Sequence, residues 1–130
     1  MKNYFYISVL IIATLFSAAC GKEEPIIEEP LETDPAKIIL GKWMNIEHND
    51  GSYSEYLLDS VYRQFDPESE RYSYWKYWID SIIVYEYKHD TNMVFTIKCD
   101  YEFSDNNNRL RLEIINANAD QSVAVLQRID

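Results

Sequence analysis

Between Met93 and Phe103 the apolar residues fall on every second position: Phe95, Ile97, Cys99, Tyr101 and Phe103 alternate with Thr96, Lys98, Asp100 and Glu102. Successive side chains of a strand point to opposite faces, so this spacing predicts a long strand with one face buried and the other wet. Asp105-Asn106-Asn107-Asn108 follows, a turn of residues that tolerate left-handed backbone. Leu110, Leu112 and Ile114 then alternate with Arg109, Arg111 and Glu113, which predicts a hairpin. No stretch of the domain shows sustained helical periodicity.

The same logic extends both ways. Residues 116–121 form a second polar break, after which Val123, Val125 and Ile129 make a closing strand. Upstream, Ile38 to Glu47 reads as the first strand, ended by Asn49-Asp50-Gly51. Tyr56 to Phe65 reads as a second, ended by Asp66-Pro67-Glu68-Ser69. Tyr72 to Ile79 and Ser81 to Tyr87 are either two more strands or one long strand bent near Asp80-Ser81, with His89 to Asn92 as the next turn. Eleven tyrosines against three glycines suit pleated surfaces. The expected fold is all-β, about seven strands in an antiparallel meander that closes into a small barrel and so removes its edges.

The chain ahead of this domain has a different character. Lys2 precedes an apolar run from Phe5 to Phe16, the length of a secretory h-region and short of the roughly 20 residues that span a bilayer as a helix. Residues 1–19 are therefore expected to be a signal peptide. Residues 20–36 carry six acids, one lysine and prolines at 25, 30 and 35, the composition of an extended, self-repelling tether. Residues 37–130 are expected to be the folded domain.

Ser17-Ala18-Ala19-Cys20-Gly21 resembles a bacterial lipobox, with Ser17 where that pattern prefers Leu. The resemblance implies cleavage before Cys20, lipidation of its thiol and anchorage of the chain to a membrane of the cell envelope. Gly21-Lys22-Glu23-Glu24 is similar to the export signal that sends lipoproteins of Bacteroidetes to the outer face of the outer membrane. The acidic tether, Ile39-Leu40-Gly41-Lys42-Trp43, the later strand order and Val125-Leu126-Gln127-Arg128-Ile129 together resemble the small lipocalin-like lipoproteins of Bacteroidetes. In lipocalins the tryptophan of Gly-x-Trp lies across the barrel floor and a late arginine stacks on it. The resemblance implies those structural roles for Trp43 and Arg128.

Functional signals are sparser. With 22 acids against 12 bases and a net charge of −10, the chain repels phosphate backbones, and a nucleic-acid partner is not expected. Once Cys20 is acylated Cys99 has no cysteine to pair with, and its apolar neighbours mark it as a buried, inert thiol. His48 and His89 sit in turns without metal-site spacing, and Asp59, Asp80 and Glu86 are not paired at any recognisable interval. No catalytic residue, metal or cofactor is expected, and the chain is read as noncatalytic.

The densest chemistry is aromatic. Tyr72, Tyr74, Trp75, Tyr77 and Trp78 are the candidate ligand-binding residues, with Tyr72, Tyr74 and Trp78 on one strand face and Trp75 and Tyr77 on the other. Either face offers flat stacking surface and phenol hydroxyls, although one can equally be core and the other its cover. Three readings stay open: a barrel that holds a small apolar or aromatic-stacking ligand, a protein-interaction subunit of an envelope complex, and a surface glycan binder.

Overall fold

The computed structural model describes residues 28–90, 92–115 and 123–130; the signal, Cys20 and the first part of the tether lie outside the described residues. The chain divides into Met1–Pro30 and Leu31–Asp130, and the second unit is a closed barrel. Its elements are α1 (Pro35–Ile38), β1 (Gly41–Asn45), β2 (Tyr53–Leu57), β3 (Val61–Asp66), β4 (Arg71–Ile79), β5 (Ile83–Lys88), β6 (Val94–Ser104), β7 (Arg109–Ile114) and β8 (Val123–Arg128). Each strand pairs antiparallel with the next, and β1 closes the ring by pairing with β8.

The β6–β7 hairpin follows the alternation in the sequence. Cys99 lies opposite Ile114, Tyr101 opposite Leu112 and Phe103 opposite Leu110, so two apolar rows face the same interior. Asp105, Asn106 and Asn107 take positive φ angles of 53°, 51° and 65° in the connecting turn, which short polar side chains tolerate.

One local reading is corrected. The stretch from Tyr56 to Phe65 is not one strand: a single 3₁₀ turn at Leu58–Ser60 splits it into the end of β2 and most of β3. Asp59 and Ser60 reverse the chain at φ 65° and 61°, with no Gly, Asn or Pro to announce it. The strand count therefore rises to eight. In β8 the inward residues are Ala124, Leu126 and Arg128, while Val123 and Ile129 are 43 % and 45 % exposed. Along its interior face β8 thus presents a small residue, a leucine and a cation.

One end of the barrel is plugged. Asp34 caps α1 by accepting the Ala36 amide at 3.0 Å, and Pro35 opens the helix where its missing N–H costs nothing. This short turn drives Ile38 and Ile39 into the floor, where Ile39, Trp43, Leu110 and Ile83 are fully buried. The Trp43 indole donates to the Ile39 carbonyl at 2.8 Å. Arg128, directly across from Trp43 in the β1–β8 register, places its guanidinium 4.3 Å from the indole ring centre.

The C-terminus locks the seam. Asp130 accepts the Lys42 amide at 2.9 Å, and Gly41 sits at φ +113° with room for no side chain: a Cβ there would lie 2.7 Å from Asp130 Oδ1. Gly41→Ala is expected to destabilise the barrel by about 2 kcal/mol, through left-handed strain and loss of the Asp130 contact. Urea unfolding measures this; a midpoint unchanged from wild type would show that the seam does not depend on Gly41.

Candidate functional site: an interior cavity at the open end

The plugged end forces the free interior volume toward the opposite end, where β1 finishes and β2 begins. A cavity of about 240 Å³ lies there, walled by Tyr62, Trp75, Ile97, Cys99, Leu112 and Ile114 among others. A second hollow of about 200 Å³ adjoins it, sharing Tyr62, Gln64, Leu112 and Ala124 and reaching Asn45, Ser52 and Ser54. Both open to solvent on one side, and no described residue that lines either carries a formal charge at neutral pH.

Beneath the cavity the tyrosines form a layer. Tyr56 packs against Tyr62 at 4.9 Å and against Tyr77 at 5.1 Å between ring centres, and Tyr62 meets Tyr85 at 5.1 Å. Their hydroxyls are satisfied within the protein. Tyr56 and Tyr85 share a 2.5 Å hydrogen bond, Tyr62 shares one of 2.9 Å with Ser54, and Tyr77 donates to the Leu57 carbonyl at 3.2 Å. Among the described residues no buried side-chain nitrogen or oxygen lacks a partner, as a low-dielectric interior requires. Burial pushes the phenols of Tyr56, Tyr62, Tyr77 and Tyr85 above the ordinary tyrosine range. It also pushes the Cys99 thiol up to about 11. The titratable groups of this wall are therefore protonated at neutral pH, and the surface presents aromatic rings, aliphatic groups and neutral hydroxyls.

The five aromatic candidates of β4 separate. Tyr77 is 5 % exposed and belongs to the core, and Trp75 lines the cavity with its ring 5.1 Å from that of Tyr87. Tyr72, Tyr74 and Trp78 lie on the outer face, where Tyr74 and Trp78 are about half exposed. Tyr72 is engaged there: it shares a 2.7 Å hydrogen bond with Tyr53, and the Arg63 guanidinium lies 4.4 Å from its ring centre. Arg63 in turn pairs with Glu55 at 2.5 Å. The pleat of one strand therefore prevents these five side chains from forming one surface.

Tyr62, Gln64, Tyr85, Ile97 and Leu112 complete the cavity wall. Ile97 and Leu112 stood on the apolar faces legible in the sequence. Tyr62 and Gln64 lay in the stretch whose hairpin went unannounced, so their facing could not be read.

His48 is exposed, and the ring of His89 lies 6.3 Å from that of Tyr87. Asp59 is in the β2–β3 turn and Glu86 on β5, while the Asp80 carbonyl accepts from the Tyr101 hydroxyl at 2.5 Å. Among the described residues no three His, Cys, Asp or Glu side chains gather to hold a metal ion. Among the same residues no helix is long and apolar enough to cross a membrane. Compared with known proteins, the chain matches no family model, and no curated protein is similar to it in sequence. The eight-stranded closed meander is nevertheless consistent with a lipocalin-like fold.

Proposed function

We propose that this protein is a noncatalytic lipoprotein of the bacterial cell envelope whose barrel holds a small apolar or aromatic-stacking ligand. The observation that carries the reading is the cavity of about 240 Å³ walled by Trp75, Tyr62, Ile97 and Leu112 above a self-satisfied tyrosine layer. An apolar hollow of roughly 150 Å³ is enough to take up a benzene ring, so this one accommodates a larger guest. In this reading Cys20 carries the lipid, the acidic tether spaces the barrel from the outer membrane, and Gly21-Lys22-Glu23-Glu24 directs it to the outer face, as in the lipocalin-like lipoproteins of Bacteroidetes that the sequence resembles.

A fragment from Gly21 onward, titrated with the uncharged dye N-phenyl-1-naphthylamine, tests it. Saturable enhancement of dye fluorescence is expected, weakened at least tenfold in Ala124→Leu, which intrudes on the junction of the two hollows. Circular dichroism confirms that the variant keeps its strands. Equal binding by both proteins, or none by either, would remove the ligand-carrier reading.

The rival reading, a protein-interaction subunit, draws on Met93, Val94 and Phe95, which are 57 %, 52 % and 48 % exposed side by side at the open end. Exposed large apolar side chains are a common mark of contact sites. Surface glycan binding would rest on Tyr74 and Trp78 alone, because Trp75 and Tyr77 face inward.

A further inference from the structure

Three inward positions lie in one row across β2, β3 and β4. Ser54 pairs with Gln64, and Gln64 pairs with Ser73. One pair closer to the floor, the same strands place Tyr62 opposite both Tyr56 and Trp75. A belt of uncharged hydrogen-bonding groups therefore sits directly above an aromatic layer, on one side of the barrel. On the far side Ile97, Leu112 and Ile114 supply only hydrocarbon. Gln64 is the hinge of the arrangement, because it borders the 240 Å³ cavity, the 200 Å³ hollow and a third, outer hollow that Ser73 also lines. Its amide both donates and accepts.

The electrostatics of the opening narrow the guest further. The outer hollow carries Asp50, Asp66 and Glu68. Hydrogen bonds from Ser52 hold the Asp50 carboxyl below its ordinary range, and those from Ser69 and the Glu68 amide do the same for Asp66, so both remain ionised. An anion approaching the opening meets carboxylates, and neither interior hollow is lined by a cation to replace its lost water. A cation is drawn to the rim but finds no carboxylate in either interior hollow.

From this juxtaposition we infer that the guest is an uncharged amphiphile: an aromatic or apolar body seated on Tyr62 and Trp75, with one neutral polar group, a hydroxyl or amide, turned to Ser54, Gln64 and Ser73. The inference rests on the ligand-carrier reading and adds the chemical class.

Competition against bound N-phenyl-1-naphthylamine separates the two. The competitors are 2-naphthol, naphthalene and 2-naphthoate, alike in body and different in head. At neutral pH and moderate salt, 2-naphthol is expected to displace the dye at concentrations at least tenfold below those of 2-naphthoate, and several-fold below those of naphthalene. Gln64→Leu is expected to erase the advantage of 2-naphthol over naphthalene, both competitors being read against the variant's own dye affinity. Displacement by 2-naphthoate as strong as that by 2-naphthol would overturn the uncharged class while the carrier reading stands. An advantage of 2-naphthol undiminished in Gln64→Leu would overturn the polar belt. Absence of dye binding in the wild-type protein would remove the carrier reading and this inference together.

Discussion

Raising the pH beyond the ordinary phenol range is expected to unfold this barrel cooperatively rather than titrate its tyrosines one by one. Tyr56, Tyr62 and Tyr85 are buried against one another, and burial raises all three. In the unfolded chain a phenol ionises near pH 10. Above that pH the unfolded state has released protons that the native state still holds, so stability falls as pH rises. The contribution of these groups is fully present below about pH 10 and is lost above it. Each phenol that stays protonated in the fold costs about 1.4 kcal/mol per pH unit above 10, so Tyr56 and Tyr85, which burial raises most, together cost about 3 kcal/mol at pH 11. A small domain has a net stability of roughly 5–15 kcal/mol, so about two pH units consume the lower end of that range.

Absorbance of tyrosinate and tryptophan fluorescence, followed together, check the expectation: both should change in one steep step. Cys99 works in the same direction, since its thiol, raised to about 11 by burial, also stays protonated longer in the fold than outside it. Replacing Tyr56 and Tyr85 together with Phe removes two of the phenols and leaves neither hydroxyl orphaned. That double variant should shift the step to higher pH. Gradual ionisation of the buried phenols in a folded barrel would contradict the account.

Truncating Arg128 should strongly destabilise the barrel. Its Nη1 donates to the Leu40 carbonyl at 2.7 Å, and its Nη2 donates to the Ile38 carbonyl. Nε and Nη2 reach the Asn107 carbonyl at 3.4 Å, and the guanidinium covers the Trp43 ring. One side chain thereby ties the N-terminal plug, the β6–β7 turn and the floor indole together. Arg128→Ala leaves the Ile38 and Leu40 carbonyls without this partner and removes a cation–π contact, an expected loss of about 3–4 kcal/mol. Arg128→Lys should recover less than half, because one ammonium cannot fork to three carbonyls over an aromatic face. Urea unfolding midpoints at constant slope measure both. A loss below about 1 kcal/mol for Arg128→Ala would show that the clamp is dispensable. Dye binding at the opposite end should survive wherever the variant remains folded.

The elements that could be read from the sequence are those in which one local rule sufficed. β6 and β7 alternate over many residues, and their connecting Asp105-Asn106-Asn107-Asn108 stretch uses residues suited to left-handed backbone. β2 and β3 failed that test. Leu58-Asp59-Ser60 carries no strong turn signal, and its reversal holds because the flanking strands pair on both sides of it. In β8 the apolar residues marked a strand without fixing its facing, whereas the family resemblance implied that Arg128 stacks on Trp43. Odd and even positions of a strand cannot both face inward. The floor decides for Arg128, because Trp43 and two carbonyls there offer a cation partners that it lacks among hydrocarbon.

The candidate site divides along the same line. The aromatic density of Tyr72 to Trp78 is visible in the sequence, as is the split of its side chains between two faces. Which face turns inward depends on closure of the ring, which sends Trp75 and Tyr77 inside and leaves Tyr74 and Trp78 in water. Composition and alternation by themselves determined an all-β, antiparallel, barrel-forming domain, because burial of one strand face is a local and periodic requirement. The plugged floor, the position of the cavity and the row Ser54, Gln64 and Ser73 were decided by tertiary structure. Those features join residues from strands far apart in the chain, and strand register, which no single segment encodes, sets which of them meet.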